Sequence, residues 1–291
     1  MNVWFSTEKM SRIKKILVVL ICLSLCACLK QEKVAEEPEV KEAVLVFINV
    51  FKADAALIQI DGKNFLIDSG SQESFSQITA ILQLLGVEKI DAVILSHGDK
   101  DHIGGWGQLC RSQQISQLYI SSLGEIHNTG VKALAQEYAI KIIELDFFQE
   151  IQLSENCSFL VLAPETKDEK DDNNNSLVLM FEILGNRVLF TGDMKEKTER
   201  QLLKNGIDLQ ATILKVAHHG QDDSSSAEFI QKVKPLYAII STASKDRPHS
   251  AAAEVIQRLQ DSKVLITEDY SLGIFFKLKE NRQVQIIDLN P

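Results

Sequence analysis

Ser96-His-Gly-Asp-Lys-Asp-His-Ile-Gly-Gly-Trp106 is the most informative stretch of this sequence. Within six consecutive positions it carries four side chains of the kinds that bind metal ions, namely His97, Asp99, Asp101 and His102. The run just before it, Asp91-Ala-Val-Ile-Leu95, is short, apolar and rich in β-branched side chains, which predicts a buried strand. Imidazole and carboxylate groups bind Zn²⁺ and harder divalent ions, so the loop after this strand is a predicted metal site. The alternative is an ordinary loop, in which the same residue types are common.

Further segments with candidate ligands follow other predicted strands. In chain order they are Phe65-Leu-Ile-Asp68-Ser-Gly70, Asn175-Ser-Leu-Val-Leu179, Leu189-Phe-Thr-Gly-Asp193 and Leu214-Lys-Val-Ala-His218-His219-Gly220. Together with residues 96–106 they resemble the metallo-β-lactamase superfamily, and the resemblance runs over residues 44–275. Asp99 stands where the commoner motif has His, which is similar to the C-terminal hydrolase domain of the competence protein ComEC and its free-standing relatives. The resemblance implies an α/β (α+β) chain folded as a four-layer αββα sandwich.

The resemblance also implies roles for the candidate ligands. His97 and Asp99 would hold one metal ion, and Asp193 would bridge it to a second. The second ion would be held by Asp101, which is also counted as catalytic, by His102 and by one histidine of the 218/219 pair. His219 is favoured as that ligand and His218 is the alternative. The implied nucleophile is a metal-bound hydroxide, because a divalent ion lowers the pKa of bound water from 15.7 to ~7.

Other residues are expected around the metal ions. Asp68 would orient a ligand, unless it only forms a turn, and Asn175 or Ser176 stands where many relatives carry a further histidine. His249 is a catalytic candidate that would protonate the leaving group or clamp a phosphate; the alternative is a loop histidine that caps the next helix. More oxygen and less nitrogen shifts metal preference from Zn²⁺ toward Mn²⁺ or Mg²⁺. The expected cofactors are therefore two divalent ions, Zn²⁺ or Mn²⁺, with Mg²⁺ as a further candidate.

One departure from the family pattern lies near the predicted substrate cleft. ComEC proteins usually read Val-Gly-Gln-Gly-Asp-Ala, whereas this chain reads Val50-Phe-Lys-Ala-Asp54-Ala. Both glycines are lost, and the turn that they would form is expected to change.

The first 43 residues predict export and anchoring. Basic residues precede the apolar run Ile16–Leu25, which ends in Leu25-Cys-Ala-Cys28. This order is typical of a signal peptide over residues 1–27, with lipid attached to Cys28; an uncleaved anchor or an ordinary signal peptide is the alternative. Residues 28–43 predict a lipidated, solvated tether, and residues 44–291 the hydrolase domain. The expected location is the extracytoplasmic face of the membrane, where the protein is held by its lipid.

The net charge of the chain limits the classes of substrate that it could bind tightly. The formal net charge is −9, and removal of residues 1–27, which carry +3, leaves a chain near −12 without basic stretches. Tight binding of duplex DNA usually requires such stretches. The predicted function is hydrolysis of phosphodiesters, as by a surface nuclease related to DNA uptake. The alternatives are hydrolysis of a lactone, a β-lactam or an envelope phosphate ester, and a non-catalytic surface binding protein. No protein partner can be inferred from the sequence.

The remaining pattern predicts two runs of strands interspersed with helices. A meander is expected between Val44 and Ile67, and a hairpin between Ser176 and Thr191, because apolar runs there are separated by turn residues. The loop Pro164–Asn175 is charged and rich in amides, and it leads directly into the predicted site. Cys110 and Cys157 could form a disulfide in an oxidising compartment, but buried free cysteines are equally consistent with their apolar flanks.

Overall fold

Two β-sheets form the framework of the protein. The computed structural model describes residues 41–243 and 250–287. In spatial order the first sheet contains β15 (Gln283–Ile287), β14 (Gly273–Lys279), β1 (Glu42–Ile48), β2 (Ala56–Ile60), β3 (Lys63–Ile67), β4 (Lys89–Leu95), β5 (Gln114–Ser121) and β6 (Lys141–Leu145). The second sheet contains β13 (Lys263–Ile266), β12 (Tyr237–Ile240), β11 (Ile213–Lys215), β10 (Asn186–Phe190), β9 (Val178–Ile183), β8 (Cys157–Ala163) and β7 (Glu150–Ser154).

Helices connect and cover the strands. They are α1 (Phe75–Leu84), α2 (Lys100–Ile103), α3 (Trp106–Ser112), α4 (Val131–Glu137), α5 (Glu196–Lys204), α6 (Ala227–Val233) and α7 (Ala253–Arg258). Single 3₁₀ turns lie at Glu125–Asn128, Asp172–Asn175, Ala217–Gly220, Thr267–Asp269 and Glu280–Arg282. None of the helices in the described ranges combines the length and the apolar character that a membrane crossing requires.

The core explains why the layers stack as they do. Strand β1 alternates, so that Leu45 and Phe47 face the second sheet while Val46 and Ile48 face the helices. The inter-sheet layer is filled by aromatic rings, among them Phe181, which are fully buried. Helices α1, α3 and α4 cover the outer face of the first sheet, and α5, α6 and α7 cover that of the second. The predicted four-layer αββα sandwich is therefore confirmed.

Strand direction brings the candidate residues to one edge. Strands β3, β4, β5 and β6 are parallel to one another, and so are β10, β11, β12 and β13. Parallel strands present their carboxyl ends at the same sheet edge. A backbone bond from Leu177 N to Ser96 O (2.9 Å) joins the two sheets at this edge.

The structure revises the local predictions at three places. The ligands at 99–102 do not all lie on an open loop, because Asp101 and His102 belong to the short helix α2. The backbone oxygen of Asp99 accepts from the N–H groups of His102 and Ile103, which closes this turn. Strand β7 lies outside the predicted strands, although its alternation over Glu150–Ser154 is a recognisable signal. Cys110 and Cys157 are buried free thiols, so they do not form the disulfide considered above.

Candidate metal centre

Four side chains from both sheets converge on one point. Ligand atoms of Asp101, His102, Asp193 and His219 all lie within 4.8 Å of one another. His102 Nε2 is 3.2 Å from one carboxylate oxygen of Asp193, and His219 Nε2 is 3.5 Å from the other. Asp101 Oδ2 is 3.4 Å from His219 Nε2. Two imidazoles and two carboxylates thus form a group that could hold a metal ion.

The hydrogen bonding of this group fits a cation. His102, Asp193 and His219 are each at most 2% exposed. Among the described residues, His102 Nε2, His219 Nε2 and Asp193 Oδ1 find no partner with hydrogen-bond geometry. Buried polar atoms in proteins are normally bonded, and each exception calls for an explanation. A divalent cation between them would satisfy all three atoms.

Asp68 is placed to orient His102. Its Oδ2 accepts a hydrogen bond from His102 Nδ1 at 2.8 Å. Ser96 holds the same carboxylate twice, through its backbone N–H (2.7 Å) and its hydroxyl (2.8 Å). A carboxylate that receives the Nδ1 proton leaves the Nε2 lone pair free to bind a metal ion and fixes the direction of the ring. The structure therefore places Asp68 in the orienting position that the resemblance implies.

The two adjacent histidines diverge. His218 and His219 both adopt left-handed backbone conformations (φ 48° and 52°), which is uncommon outside glycine. His219 enters the four-residue group, and its Nδ1 lies 3.1 Å from the backbone oxygen of Ser241. The Nδ1 of His218 instead lies 2.7 Å from Asp223 Oδ1. The structure thus brings His219, and not His218, to the candidate metal centre.

His97 and Asp99 lie beside this group but outside it. The rings of His97 and His102 are neighbours, with centroids 4.2 Å apart. His97 Nδ1 is 3.0 Å from the hydroxyl of Ser96, and its Nε2 is buried, without a hydrogen-bond partner in the described ranges, and 3.6 Å from Asp99 Oδ2. The Asp99 side chain is half exposed. This part of the site has one buried nitrogen ligand and opens toward solvent.

Asn175 and Ser176 serve different purposes. The Asn175 amide donates to Asp168 O (2.9 Å) and to Asp172 Oδ1 (3.0 Å), so it closes the loop before β9 rather than facing the metal centre. Ser176 Oγ accepts from the backbone N–H of Asp193 at 3.1 Å. Ser176 therefore supports a candidate ligand, whereas the Asn175 side chain is engaged within its own loop.

Charge coupling within the group is strong. Burial alone would lower the pKa of His219, but the carboxylates of Asp193 and Asp54 outweigh it and raise this pKa to about 9. The pKa of His102 is raised well above its usual value, because Asp193 and Asp68 likewise overcome burial. Burial would raise the pKa of Asp101, yet the bond to His219 and the charge of His102 bring it to about 2. A divalent cation would take the place of the protons that these imidazoles otherwise hold between carboxylates.

Sequence reasoning missed two residues of the site. Ser96 braces Asp68, and its place directly after a buried strand is the signal that points to it. Lys215 is 4% exposed, and its Nζ lies 2.7 Å from Asp54 Oδ2. A lysine within the apolar run Ile213-Leu-Lys-Val216 is the corresponding signal, because lysine is almost never fully buried unless it is paired.

The departure at residues 50–55 has a structural counterpart. Phe51 occupies the first position where the family pattern has glycine, and its backbone is left-handed (φ 63°), a conformation that favours glycine. Its side chain is 44% exposed. The same loop is attached to the ligand helix, because the N–H of Asp54 donates to Asp101 O at 3.1 Å.

Two predicted functional residues lie outside the described residues. These are His249 and the lipidation site Cys28. Their predicted roles stay predictions.

Fold and site together define a class of protein. The chain belongs to the metallo-beta-lactamase superfamily, whose family model matches residues 48–244. It is 32% identical over 235 residues to ComE operon protein 3 of Bacillus subtilis, which covers 75% of this chain and 30% of that protein. It is 31% identical over 210 residues to competence protein ComA of Neisseria gonorrhoeae, which covers 70% of this chain and 28% of that protein. These identities, over most of the chain, confirm the predicted ComEC-like resemblance. The chain spans less than a third of the length of these two relatives.

A solved structure supports the fold independently. The metallo-beta-lactamase fold protein YhfI from Bacillus subtilis superposes with a TM-score of 0.59 at 15% identity. The superposition covers 81% of this chain and 99% of that one.

Proposed function

We propose that this protein is a hydrolase of phosphodiesters that uses two divalent metal ions, and that single-stranded DNA is among its substrates. The observation that carries the proposal is the group of Asp101, His102, Asp193 and His219, in which buried atoms of the last three have no hydrogen-bond partner among the described residues. The similarity to competence proteins supports a nucleic-acid substrate. The protein is a member of a superfamily of metal-dependent hydrolases, which supports the reaction class.

The charges of the site support two ions. The carboxylates that surround it belong to Asp54, Asp68, Asp99, Asp101 and Asp193. Lys215 is the cation paired with one of these carboxylates, that of Asp54. With neutral imidazoles the site carries four more negative than positive charges, which two divalent cations balance. An imbalance of this size is unfavourable where the carboxylates are buried, and it would also repel an anionic substrate.

Each side chain then has a task. When bound, divalent ions lower the pKa of water to yield a nucleophile and stabilise charge on the attacked phosphoryl group. Asp68 keeps the Nδ1 proton of His102, so Nε2 faces the centre. Asp193 places one carboxylate oxygen near His102 Nε2 and the other near His219 Nε2, so it would hold an ion together with both imidazoles. Asp99 faces solvent on the open side, where substrate would enter.

The donor set favours a hard metal ion. Asp99 replaces an imidazole, and Ser176 bonds to the Asp193 backbone rather than adding a nitrogen ligand. Oxygen-rich sites prefer Mn²⁺ and Mg²⁺ over Zn²⁺. We therefore expect stronger activation by Mn²⁺ than by Zn²⁺.

The test is a substrate panel on the metal-free full chain supplied with Mn²⁺ or Zn²⁺. Bis(p-nitrophenyl) phosphate, single-stranded DNA and nitrocefin separate phosphodiesterase, nuclease and β-lactamase activities. The expected result is Mn²⁺-dependent cleavage of the first two, with no hydrolysis of nitrocefin. Hydrolysis of nitrocefin alone, or no metal-dependent hydrolysis of any panel member, would contradict the proposal.

We further propose that the protein is exported and held at the extracytoplasmic membrane face by lipid on Cys28. The basic, apolar and Leu25-Cys-Ala-Cys28 segments support this, since together they have the order of a lipoprotein signal. One acyl chain binds a membrane only marginally, whereas two hold it stably. The wild type should label with a palmitate analogue and stay in the membrane fraction, and Cys28→Ser should lose the label. An unlabelled wild type would exclude the anchor.

A further inference from the structure

A buried ion pair lies directly behind the imidazole of His219. Lys215 Nζ is 2.7 Å from Asp54 Oδ2 and donates to the backbone oxygen of Val216 at 3.1 Å. The other oxygen, Asp54 Oδ1, has no hydrogen-bond partner among the described residues and lies 3.7 Å from His219 Nδ1. Asp54 and Lys215 are 5% and 4% exposed. The pair therefore faces the side of the imidazole opposite to the candidate ligand atom Nε2.

Fold stability alone does not account for this pair. On the side away from the metal group, Phe47, Leu179 and Phe190 line the same small cavity as the pair. Removing two charges from water costs free energy that their mutual attraction offsets only in part, and apolar residues of similar volume are often as stabilising. A charged pair in this position calls for a role that an apolar pair could not perform.

Each imidazole of the metal group has a carboxylate near its Nδ1, at hydrogen-bond distance from His102 (2.8 Å) and at 3.7 Å from His219. Behind His102 stands Asp68, whose carboxylate is oriented by Ser96. Behind His219 stands Asp54, whose carboxylate is oriented by Lys215. In both cases the carboxylate lies on the Nδ1 side. His219 Nδ1 also lies 3.1 Å from the backbone oxygen of Ser241, so two oxygen atoms lie near this nitrogen.

We infer that Asp54 and Lys215 are positioning residues for His219. Lys215 engages Oδ2 of Asp54 and thereby turns Oδ1 toward the imidazole. Oxygen atoms around Nδ1 keep the proton on that nitrogen, and Nε2 is left as a ligand directed at Asp101 and Asp193. Partners of this kind typically change metal affinity by about 10–100-fold when they are removed.

The decisive variant removes both charges together. Asp54→Asn and Lys215→Met as single changes should each lower the unfolding temperature, because each leaves one buried charge unpaired. The double variant should regain most of that stability. Its Mn²⁺ affinity, measured by titration calorimetry, should nevertheless stay about 10–100-fold below that of the wild type. A purely structural pair predicts the opposite, namely that stability and Mn²⁺ affinity recover together.

The matched control is Lys197→Met. Lys197 forms an ion pair of similar length with Asp168 (2.8 Å), and neither residue belongs to the metal group. This variant should bind Mn²⁺ with the affinity of the wild type. Equal losses in the control and the double variant would show a nonspecific charge effect and overturn the inference.

A measurement on the wild type does not depend on the variants being folded. In the Zn²⁺-loaded full chain with ¹⁵N-labelled histidine, His219 should carry its proton on Nδ1. A proton on Nε2 would overturn the inference, as would a double variant that binds Mn²⁺ like the wild type. These readouts concern the ligand and not the reaction, so they stand apart from the phosphodiesterase proposal.

Discussion

The two sides of the candidate metal centre differ in how firmly they are built. On one side, His102, Asp193 and His219 are buried, and their positions are fixed by Asp68, Ser176 and Ser241. On the other side, Asp99 is half exposed and the nearest imidazole nitrogen is 3.6 Å away. The side formed by His102, Asp193 and His219, hereafter the braced side, is preorganised for an ion. The side formed by His97 and Asp99, hereafter the open side, has one imidazole nitrogen and a solvent-exposed carboxylate.

Metal affinity and substrate access are expected to depend on different sides of the centre. A ligand held by a second layer of bonds loses little freedom when an ion binds, so the braced side should dominate affinity. An exposed carboxylate can move and share its ion with a substrate oxygen. The open side should therefore govern metal preference and substrate entry.

The largest effect is expected for Asp193→Ala. Asp193 contacts both imidazoles, so its loss should lower metal-dependent hydrolysis by about 10³-fold and remove at least one bound ion. Metal analysis and steady-state kinetics measure the two effects. Asp208→Ala is the control, because Asp208 pairs with Arg187 at the surface and should change neither quantity. Unchanged metal content in Asp193→Ala would show that the braced side is not the metal site.

The adjacent histidines offer a matched pair. His219→Asn should weaken Mn²⁺ binding by about 100-fold, because it removes a ligand from the braced side. His218→Asn should change affinity little, since its ring bonds to Asp223. Asparagine tolerates the left-handed conformation at both positions, which keeps the backbone effect equal. Calorimetric titration of both variants distinguishes them, and equal losses would contradict the assignment.

Metal binding should depend on pH. The metal-free His219 has a pKa of about 9, so below that pH an arriving ion must displace its proton. Affinity for Mn²⁺ should then rise about tenfold per pH unit from pH 6 to 8, and more steeply if His102 also releases one. Titration in buffers of different ionisation enthalpy counts the protons. A pH-independent affinity over this range would exclude a protonated braced side.

The raised pKa of His219 also makes the stability of the metal-free protein depend on pH. His219 has a raised pKa in the folded state, so it stabilises the fold below its unfolded pKa near 6.5. This contribution is lost as the pH rises through about 9. Unfolding temperatures of the metal-free protein between pH 6 and 9.5 should therefore decline, and saturating Mn²⁺ should reduce the decline.

The smallest effect is expected on the open side. Asp99→His adds an imidazole there and should shift preference toward Zn²⁺ by about tenfold while binding at the braced side stays unchanged. Competition between Zn²⁺ and Mn²⁺ in the variant and the wild type measures the shift. Asp222→His, a second surface aspartate, is the control. If Asp99→His also weakened the braced site, the two sides would not be separable.

Much of this site follows from local sequence, and the rest depends on distant contacts. The stretch 96–106 and Asp193 could be predicted, because each directly follows an apolar strand at one sheet edge. The preference for His219 over His218 rested on the family resemblance and could not be derived from local sequence, since it depends on two consecutive left-handed residues. Nor could the pairing of Asp54 with Lys215, because those residues come from different sheets. Asn175 is the opposite case: the sequence placed it beside the metal ions, but its amide is hydrogen-bonded within its own loop.

The origin of the four ligands has a mechanical consequence. Asp101 and His102 lie on helix α2, which follows β4 of the first sheet, whereas Asp193 and His219 follow strands of the second. An ion held by all four is a cross-link between the two halves of the sandwich. A ligand that binds only the folded form stabilises it by about 2.7 kcal/mol at a hundred times its Kd. Because the ion joins the two sheets, metal binding should slow amide hydrogen exchange in β4 and β10 together. Removal of the ion by a chelator should restore the faster exchange in both strands.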